Sequence, residues 1–218
     1  MIKTSRWSKE HLVEGIKKVV QNDSLKNMCI AEFGTYRGES LQLMENLFYS
    51  YQFPVKGTYG FDSFEGLPTE AEDVERFYLF QKGMFNDITH LYSLKWGPGY
   101  IKCWFNELNE DSIKKYGMTP FCFVHIDGDL YISAKDALTF LFSNNLVVPG
   151  TVITYDEFKS TSTLESGGES KATFEICDQF KVEMTEFFRN VYTDHIECWQ
   201  NAFVINNIGE KSECRLLN

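Results

Sequence analysis

Hydrophobic positions in the first fifty residues predict a helix, a buried strand and a second helix. The first helix, which Ser8 can cap, carries its apolar residues at helical spacing. The continuous apolar run 28–33 predicts a strand that enters a turn at Gly34. The second helix is predicted over residues 39–51. The apolar faces of the two helices comprise Leu12, Val13, Ile16, Val19 and Val20, and then Leu41, Met44, Leu47 and Phe48.

The middle of the chain gives weaker patterns. A short strand is predicted over residues 58–61 and ends at Asp62. Residues 66–100 mix aromatic and polar side chains without a single periodicity, and the turn Gly97-Pro98-Gly99 closes this stretch. A further strand is predicted over residues 100–105.

The second half alternates strands and helices more regularly. The apolar run 121–126 predicts a strand that ends at Asp127, and Ser133 with Asp136 resembles a capping box for a helix that reaches about residue 144. Residues 147–155 predict a strand that ends at Asp156-Glu157. The rest of the chain predicts a loop rich in Ser, Thr and Gly over 159–168, a helix over 169–180, and β-like runs at 186–191 and 198–205.

This alternation predicts one α/β domain over residues 1–218, with a helical extension at residues 1–27. Strands that alternate with helices form mainly parallel sheets, and continuous apolar strands need helices on both faces. Ligands of such folds bind beyond the carboxyl ends of the strands. The acidic and glycine residues of this chain fall at those ends: Glu32, Gly34, Asp62, Asp127, Asp156 and Glu157.

Charge and composition narrow the classes of partner. The chain has 218 residues, with 21 Lys and Arg against 31 Asp and Glu, and its formal charge is −10. A chain this acidic repels phosphate backbones and anionic lipids, so we expect neither nucleic acid nor a membrane as its partner. No stretch approaches ~20 consecutive apolar residues, and residues 1–10 lack the apolar core of a signal peptide.

The six cysteines form no C-x-x-C pair and mostly lie in apolar segments. We therefore expect reduced, buried thiols and a cytoplasmic protein, without a cysteine-ligated zinc site. A homo-oligomer is compatible with this composition.

The first candidate constellation is Glu32-Phe-Gly34-Thr-Tyr36-Arg-Gly38-Glu-Ser40. Glycine lets a backbone approach a ligand closely, and the start of the following helix can hold a carboxylate. The dinucleotide pattern G-x-G-x-x-G is absent here, and an acid two residues before the first glycine suits a cationic ligand better than a pyrophosphate. An ordinary strand-to-helix turn is the alternative.

The second constellation begins at Asp62, thirty residues after Glu32 and therefore about one strand-helix-strand unit later. An aspartate at this strand end can accept two hydrogen bonds from a ribose diol. The alternative is a turn aspartate that caps its own backbone.

The third constellation joins His125-Ile-Asp127-Gly-Asp129 to Asp156-Glu157. Carboxylates gathered at adjacent strand ends repel one another unless a positive charge lies among them. Oxygen ligands of this kind favour Mg²⁺, Mn²⁺ or Ca²⁺ over zinc. Helix capping by each acid is the alternative. His125 could be a base or a ligand, but we expect a core histidine that is simply hydrogen-bonded, and His11, His90 and His195 have no supporting neighbours in the sequence.

Together these segments resemble the macrocin O-methyltransferase (TylF/MycF-like) family, a branch of the class I S-adenosylmethionine-dependent methyltransferases. The resemblance covers about residues 28–180, and the order and spacing of the motifs agree. The segments that carry it are EFGTYRGES, YGFDSFEGLP, FVHIDGDLYISAKDAL, PGTVITYDEF and GGESKATFEI.

The resemblance implies a Rossmann-like, seven-stranded, mainly parallel sheet with an antiparallel last strand. It also implies methyl transfer from S-adenosylmethionine to a hydroxyl of a small molecule, often a sugar, with Mg²⁺ (or Mn²⁺). By motif position, Asp62 with Ser63 holds the ribose, and Asp127, Asp156 and Glu157 ligate the metal. Asp129 is a general base or a supporting group, and the catalytic pair is Asp129 with Asp127. The residues that line the methionine end of the cofactor are Glu32, Gly34, Tyr36, Gly38 and Ser40.

Two segments, 66–100 and 158–168, leave strand ends on the ligand side, where they could close over the site and exclude water. Two other enzyme classes also use D-x-D. A nucleotide-sugar glycosyltransferase could bind its metal at Asp127-Gly-Asp129, and a phosphatase could use an aspartyl nucleophile there. Neither explains Glu32-x-Gly34 or the spacing to Asp62.

Overall fold

A computed structural model describes residues 8–68, 83, 85–86, 91–159, 168–192 and 198–209. In these residues seven strands form one sheet, in the order β3-β2-β1-β4-β5-β7-β6. The strands are β1 (Cys29–Phe33), β2 (Gly57–Asp62), β3 (Gly99–Lys102), β4 (Phe121–Ile126), β5 (Val147–Lys159), β6 (Val182–Tyr192) and β7 (Cys198–Ile208). The helices are α1 (Glu10–Val20), α2 (Glu39–Ser50), α3 (Glu110–Tyr116), α4 (Tyr131–Ser143) and α5 (Gly168–Phe180).

Strands β1 to β5 pair in parallel, whereas β7 is antiparallel to both β5 and β6. The predicted mainly parallel sheet with an antiparallel last strand is therefore confirmed. The parallel strands bring their carboxyl ends to one edge, and the site described below lies there.

Each face of the sheet carries its own core, because successive strand residues point to opposite faces. In β1, Ala31 and Phe33 pack into the core beneath α4 and α5, whereas Ile30 packs into the core beneath α1 and α2. Both cores consist of fully buried apolar side chains. Helices cover both faces, as the continuous apolar strands predict.

Helix α4 begins earlier than predicted, so the expected capping box of Ser133 and Asp136 is wrong. The residue before its first turn is Leu130, which is extended and makes no side-chain cap. Leu130 is buried, and its carbonyl accepts the Ala134 N–H. Ser133 and Asp136 thus lie within the helix, and both side chains line the cavity described below.

Other boundaries differ by a few residues. Strand β3 is shorter than predicted because a 3₁₀ turn, Phe105–Glu107, replaces its end. Helix α1 begins at Glu10, whose N–H donates to Ser8 Oγ at 3.4 Å. Helix α3 has no counterpart in the sequence prediction.

Strand β5 continues past its predicted end through a bulge. The register with β7 passes from Tyr155 opposite Asn201 to Phe158 opposite Trp199, so one extra residue is inserted at Asp156-Glu157. A bulge redirects side chains next to functional sites. Both acids line the same cavity, although successive strand residues ordinarily face apart.

Among the described cysteines, Cys29, Cys103, Cys122 and Cys177 are free and wholly or partly buried, as predicted. None of the described helices has the length and apolar composition needed to cross a membrane.

Candidate active site

A cavity of about 1050 Å³ opens at the carboxyl edge of the sheet. Its walls come from the turns after β1, β2 and β4 and from the bulge within β5, together with the start of α4 and the 3₁₀ turn after β3. Single-ligand pockets span roughly 300–1000 Å³. The cavity therefore lies at the upper end of the range for a pocket that holds a small-molecule ligand.

The cavity wall is strongly acidic. Among the described residues that line it, the bases are Lys9 and Arg37, and nine residues are acids. A wall with this excess of carboxylates attracts cationic groups and divalent ions. The acids are Glu39, Asp62, Glu65, Glu107, Asp127, Asp129, Asp136, Asp156 and Glu157.

Gly34 and Gly38 have left-handed backbone conformations, with φ of +92° and +81°. A Cβ on Gly34 would overlap the carbonyl oxygen of Asp127, and one on Gly38 would overlap the Tyr100 hydroxyl. The need for glycine at these positions is thus set by neighbouring protein atoms as well as by backbone angle. Close approach of a ligand, the reason inferred from the sequence, is not required to explain it.

The carboxylate of Asp62 connects two turns of the cavity wall. Its Oδ2 accepts the Tyr36 N–H at 2.8 Å, and its Oδ1 accepts the Phe64 N–H at 2.7 Å. Both donors have left-handed φ angles, of +44° and +53°. Burial raises the pKa of Asp62, and these N–H groups oppose that shift. A carboxylate offers about four acceptor positions, and the N–H groups of Tyr36, Phe64 and Thr35 occupy at most three of them, so Asp62 caps its own turn and can still accept from a ribose hydroxyl.

Glu32 lies beneath the cavity and does not line it. It is fully buried, and Ser40 Oγ donates to its Oε1. Burial raises the pKa of Glu32 to about 8, although the Ser40 hydrogen bond lowers it. Ser40 itself does line the cavity. Glu32 therefore supports the cavity floor through Ser40.

The three predicted metal ligands lie on one wall. Asp127 follows β4, and Asp156 and Glu157 form the bulge of β5. Burial raises the pKa of Asp127 well above its ordinary value, and the negative charge of Asp156 adds to this effect. Gln200 of β7 donates to Asp156 Oδ1 at 2.6 Å and so fixes its side chain.

Asp129 also lines the cavity, and its φ of +58° is left-handed. Aspartate tolerates this region better than most residues, but such conformations concentrate at functional sites. The structure thus turns the chain sharply between Asp127 and α4.

Glu169, the second residue of α5, holds the two acidic turns together. Its Oε1 accepts the Gly128 N–H and its Oε2 accepts the Glu157 N–H, each at 3.3 Å. Its carboxyl is 1% exposed, and burial raises its pKa well above the ordinary value, with Glu157 contributing. The sequence analysis assigned Glu169 no role, because nothing in the sequence places α5 against these turns.

Two basic side chains at the start of the N-terminal helix, Lys9 and His11, also lie beside the acids. The sequence did not predict a role for either of them. Lys9 Nζ and His11 Nε2 each lie 3.7 Å from Asp156 Oδ1. Burial lowers the pKa of Lys9, but Asp156, Asp127 and Glu32 more than offset this and raise it. The sequence motifs that contain Asp127, Asp156 and Glu157 include no basic residue that could neutralise these acids. The fold brings Lys9 to them from outside the motifs.

His125 lies in the core and is hydrogen-bonded, as the sequence predicts. It is fully buried, and its Nδ1 is hydrogen-bonded to Thr154 Oγ1 at 3.1 Å. Its ring packs 5.2 Å from that of His11. Burial lowers the pKa of both histidines, that of His11 to about 4. Both rings are therefore neutral at pH 7.

The structure thus brings most predicted site residues to one cavity. Glu32 and Gly38 lie behind it, and Ser63 fixes its own turn by donating to Gly66 O at 3.1 Å. The predicted closing segments lie mostly outside the described residues, as do His90 and His195. The site residues that line the cavity are Gly34, Tyr36, Ser40, Asp62, Ser63, Asp127, Asp129, Asp156 and Glu157.

Solved structures with similar folds are methyltransferases. The O-methyltransferase NovP is 18% identical with a TM-score of 0.62, covering 91% of this chain and 79% of its own. The calicheamicin methyltransferase CalS11 is 14% identical with a TM-score of 0.58, covering 88% and 77%. Its apo structure, described as a TDP-rhamnose 3′-O-methyltransferase, gives 13% identity and a TM-score of 0.51, covering 88% and 76%. No family model and no curated protein sequence matches the chain.

The chain has the Rossmann-like fold of class I methyltransferases. At these identities the likeness concerns the fold alone.

Proposed function

We propose that this protein is an S-adenosylmethionine-dependent O-methyltransferase that acts on a hydroxyl of a small molecule. The observation that carries the proposal is the acidic cavity at the carboxyl edge of a class I methyltransferase sheet. Its acidity suits a donor that carries a sulfonium cation, and its volume fits a small-molecule ligand.

The donor half of the proposed site is formed by the turns after β1 and β2. Asp62 has an acceptor position left for a ribose hydroxyl. Gly34, Tyr36, Ser40 and Ser63 line the same wall, and Glu32 supports Ser40 from behind. These residues fit the predicted role of holding the ribose and the methionine end.

The second half is proposed to hold a divalent cation through Asp127, Asp156 and Glu157. Their carboxylate oxygens are donors that Mg²⁺ and Mn²⁺ accept. When bound, such a cation lowers the pKa of a coordinated hydroxyl. The Glu169 carboxyl accepts the Gly128 and Glu157 N–H groups and so holds together the two turns that carry these carboxylates.

The protein must also align the reacting groups and accept a proton. Asp129 is the proposed general base, because it lies on the cavity wall beside the three acids. It would take the proton of the acceptor hydroxyl while the cavity wall holds the oxygen in line with the methyl group. Alignment of this kind supplies a large part of the rate enhancement.

The acceptor is proposed to be a sugar or a metabolite that contains one. This rests on the resemblance to the macrocin O-methyltransferases and on the neighbour described as a TDP-rhamnose 3′-O-methyltransferase. A glycosyltransferase that uses Asp127-Gly-Asp129 is the alternative, and it leaves the donor half of the cavity without a role.

The proposal is tested by methyl transfer from tritiated S-adenosylmethionine to a panel of deoxysugars and nucleoside-diphosphate sugars. Transfer is expected to fall with a chelator and to return with Mg²⁺ or Mn²⁺. Asp156→Asn should lower turnover on the order of 100-fold, while the exposed control Asp178→Asn keeps it. Full activity in excess chelator would overturn the metal assignment but leave the proposed methyl transfer standing.

A further inference from the structure

The hydrogen bonds around His125 determine which of its ring nitrogens carries the proton. Thr154 Oγ1 donates to the Val124 carbonyl at 3.4 Å. Its hydrogen is therefore used, and it accepts a hydrogen bond from His125 Nδ1–H at 3.1 Å. In a neutral ring the other nitrogen, Nε2, then carries a lone pair.

That lone pair faces two carboxyl groups. His125 Nε2 lies 3.8 Å from Asp127 Oδ2 and 3.9 Å from Glu32 Oε1, and among the described residues it has no hydrogen-bond partner. His11 Nε2, also buried and without a partner there, lies 3.7 Å from Asp156 Oδ1. A buried nitrogen without a hydrogen-bond partner is costly, and a cation bound between it and these carboxyl groups would remove that cost.

These donor atoms are already close enough to share an ion. The ligand atoms of His11, His125 and Asp156 lie within 4.8 Å of one another, and so do those of Glu32, His125 and Asp127. The two groups are separate, but both contain His125, which therefore lies beside Asp127 and Asp156, two of the carboxylates proposed above as metal ligands. The Thr154 hydrogen bond orients its ring, as a supporting partner does for a metal-bound imidazole.

We infer that His125 and His11 are imidazole ligands of the divalent cation held by Asp156, so that the centre has mixed nitrogen and oxygen donors. This inference rests on the divalent cation of the proposed function and specifies which class of metal ion that cation is. Affinity for mixed nitrogen and oxygen ligands rises from Mn²⁺ to Co²⁺ along the first transition row, imidazole suits the later metals best, and Mg²⁺ prefers oxygen. The centre should therefore select Mn²⁺, and more strongly Co²⁺, over Mg²⁺.

Direct measurement of metal binding tests this without an acceptor substrate. The full-length protein, stripped of metal, is titrated calorimetrically with Mn²⁺ and with Mg²⁺, and Mn²⁺-loaded protein is examined by pulsed electron paramagnetic resonance. We expect Mn²⁺ to bind at least about tenfold more tightly than Mg²⁺. We also expect nitrogen-14 modulation from a coordinated imidazole. The spectrum uses the unaltered protein, so it does not depend on a variant folding.

Variants separate ligands from supporting groups. His125→Gln should weaken Mn²⁺ binding by about 100-fold or more, beyond the roughly 10–100-fold of a supporting residue, and should largely abolish the preference over Mg²⁺. Thr154→Val should weaken Mn²⁺ binding by about tenfold. The control Thr58→Val removes a buried hydroxyl that bonds Glu45 instead and should leave Mn²⁺ affinity unchanged.

The possible failures are distinguishable. Mn²⁺ bound without nitrogen modulation, and with His125→Gln at wild-type affinity, would overturn the imidazole ligands and leave the carboxylate centre standing. Failure of both Mn²⁺ and Mg²⁺ to bind would overturn both this inference and the proposed metal. In either case binding of S-adenosylmethionine decides the methyltransferase proposal separately.

Discussion

The ammonium group of Lys9 lies 3.7 Å from Oδ1 of Asp156, a carboxylate more than 140 residues later in the chain. Lys9 lies immediately before α1 and lines the cavity. The N-terminal segment is thus part of the candidate active site, and it places a positive charge where we propose that a divalent cation binds.

Replacing Lys9 with methionine should strengthen cation binding. Two unit charges 4 Å apart interact by about 1–4 kcal/mol between water and a protein surface. Lys9→Met should therefore raise the affinity of the metal-stripped protein for Mg²⁺ by about tenfold, which is about 1.4 kcal/mol. Calorimetric titration measures this, with Lys114→Met as the exposed control. Unchanged or weaker binding would show that Lys9 does not compete with the cation.

Removing the Glu169 carboxyl should loosen both acidic turns at once. Glu169→Ala leaves the Gly128 and Glu157 N–H groups without their acceptor. Each buried donor left unpaired costs about 1–3 kcal/mol, so urea unfolding should show a loss of about 2 kcal/mol or more. Glu183→Ala, on the exposed side of β6, should be neutral. Equal unfolding free energies for the two variants would contradict the bridging role.

The residues that the sequence could and could not predict differ in a physical way. Asp62, Asp127 and Asp156 follow apolar strands, and parallel strands end at one edge, so their gathering follows from local pattern alone. Lys9, His11 and Glu169 reach the site from helices whose packing depends on side chains distant in sequence. That packing produces no periodic pattern in the local sequence from which it could be predicted.

The start of helix α4 near Ser133 and Asp136 is a second feature that the sequence alone could not predict. Their spacing matches a capping box, but the turn from Gly128 to Leu130 starts α4 two residues before Ser133. The bulge that turns both Asp156 and Glu157 into the cavity depends likewise on the register with β7. Both outcomes are decided by tertiary contacts.

The buried carboxyl of Glu32 should make stability fall as pH rises. Its pKa is about 8 in the folded protein against an ordinary 4.5, so its proton favours folding. This contribution is complete below pH 4.5 and is lost as pH rises through 8. Because each pKa unit corresponds to about 1.4 kcal/mol, Glu32→Gln should gain stability relative to wild type between pH 5 and 8.

Urea midpoints at several pH values measure this difference, with Glu183→Gln as the exposed control. Other buried groups titrate in both proteins and cancel in the comparison. A difference between Glu32→Gln and wild type that stays constant with pH would contradict the raised pKa.

The central claim, that the cavity binds S-adenosylmethionine, is tested most directly by calorimetric titration with this donor and with a UDP-sugar. We predict micromolar binding of S-adenosylmethionine, the usual range for enzyme ligands, with or without the UDP-sugar present. Asp62→Ala should weaken this binding by about 10–100-fold, since a hydrogen bond to a charged acceptor contributes about 1.5–3 kcal/mol, while Asp178→Ala should not. Folded wild-type protein that binds the UDP-sugar and not S-adenosylmethionine would contradict the claim.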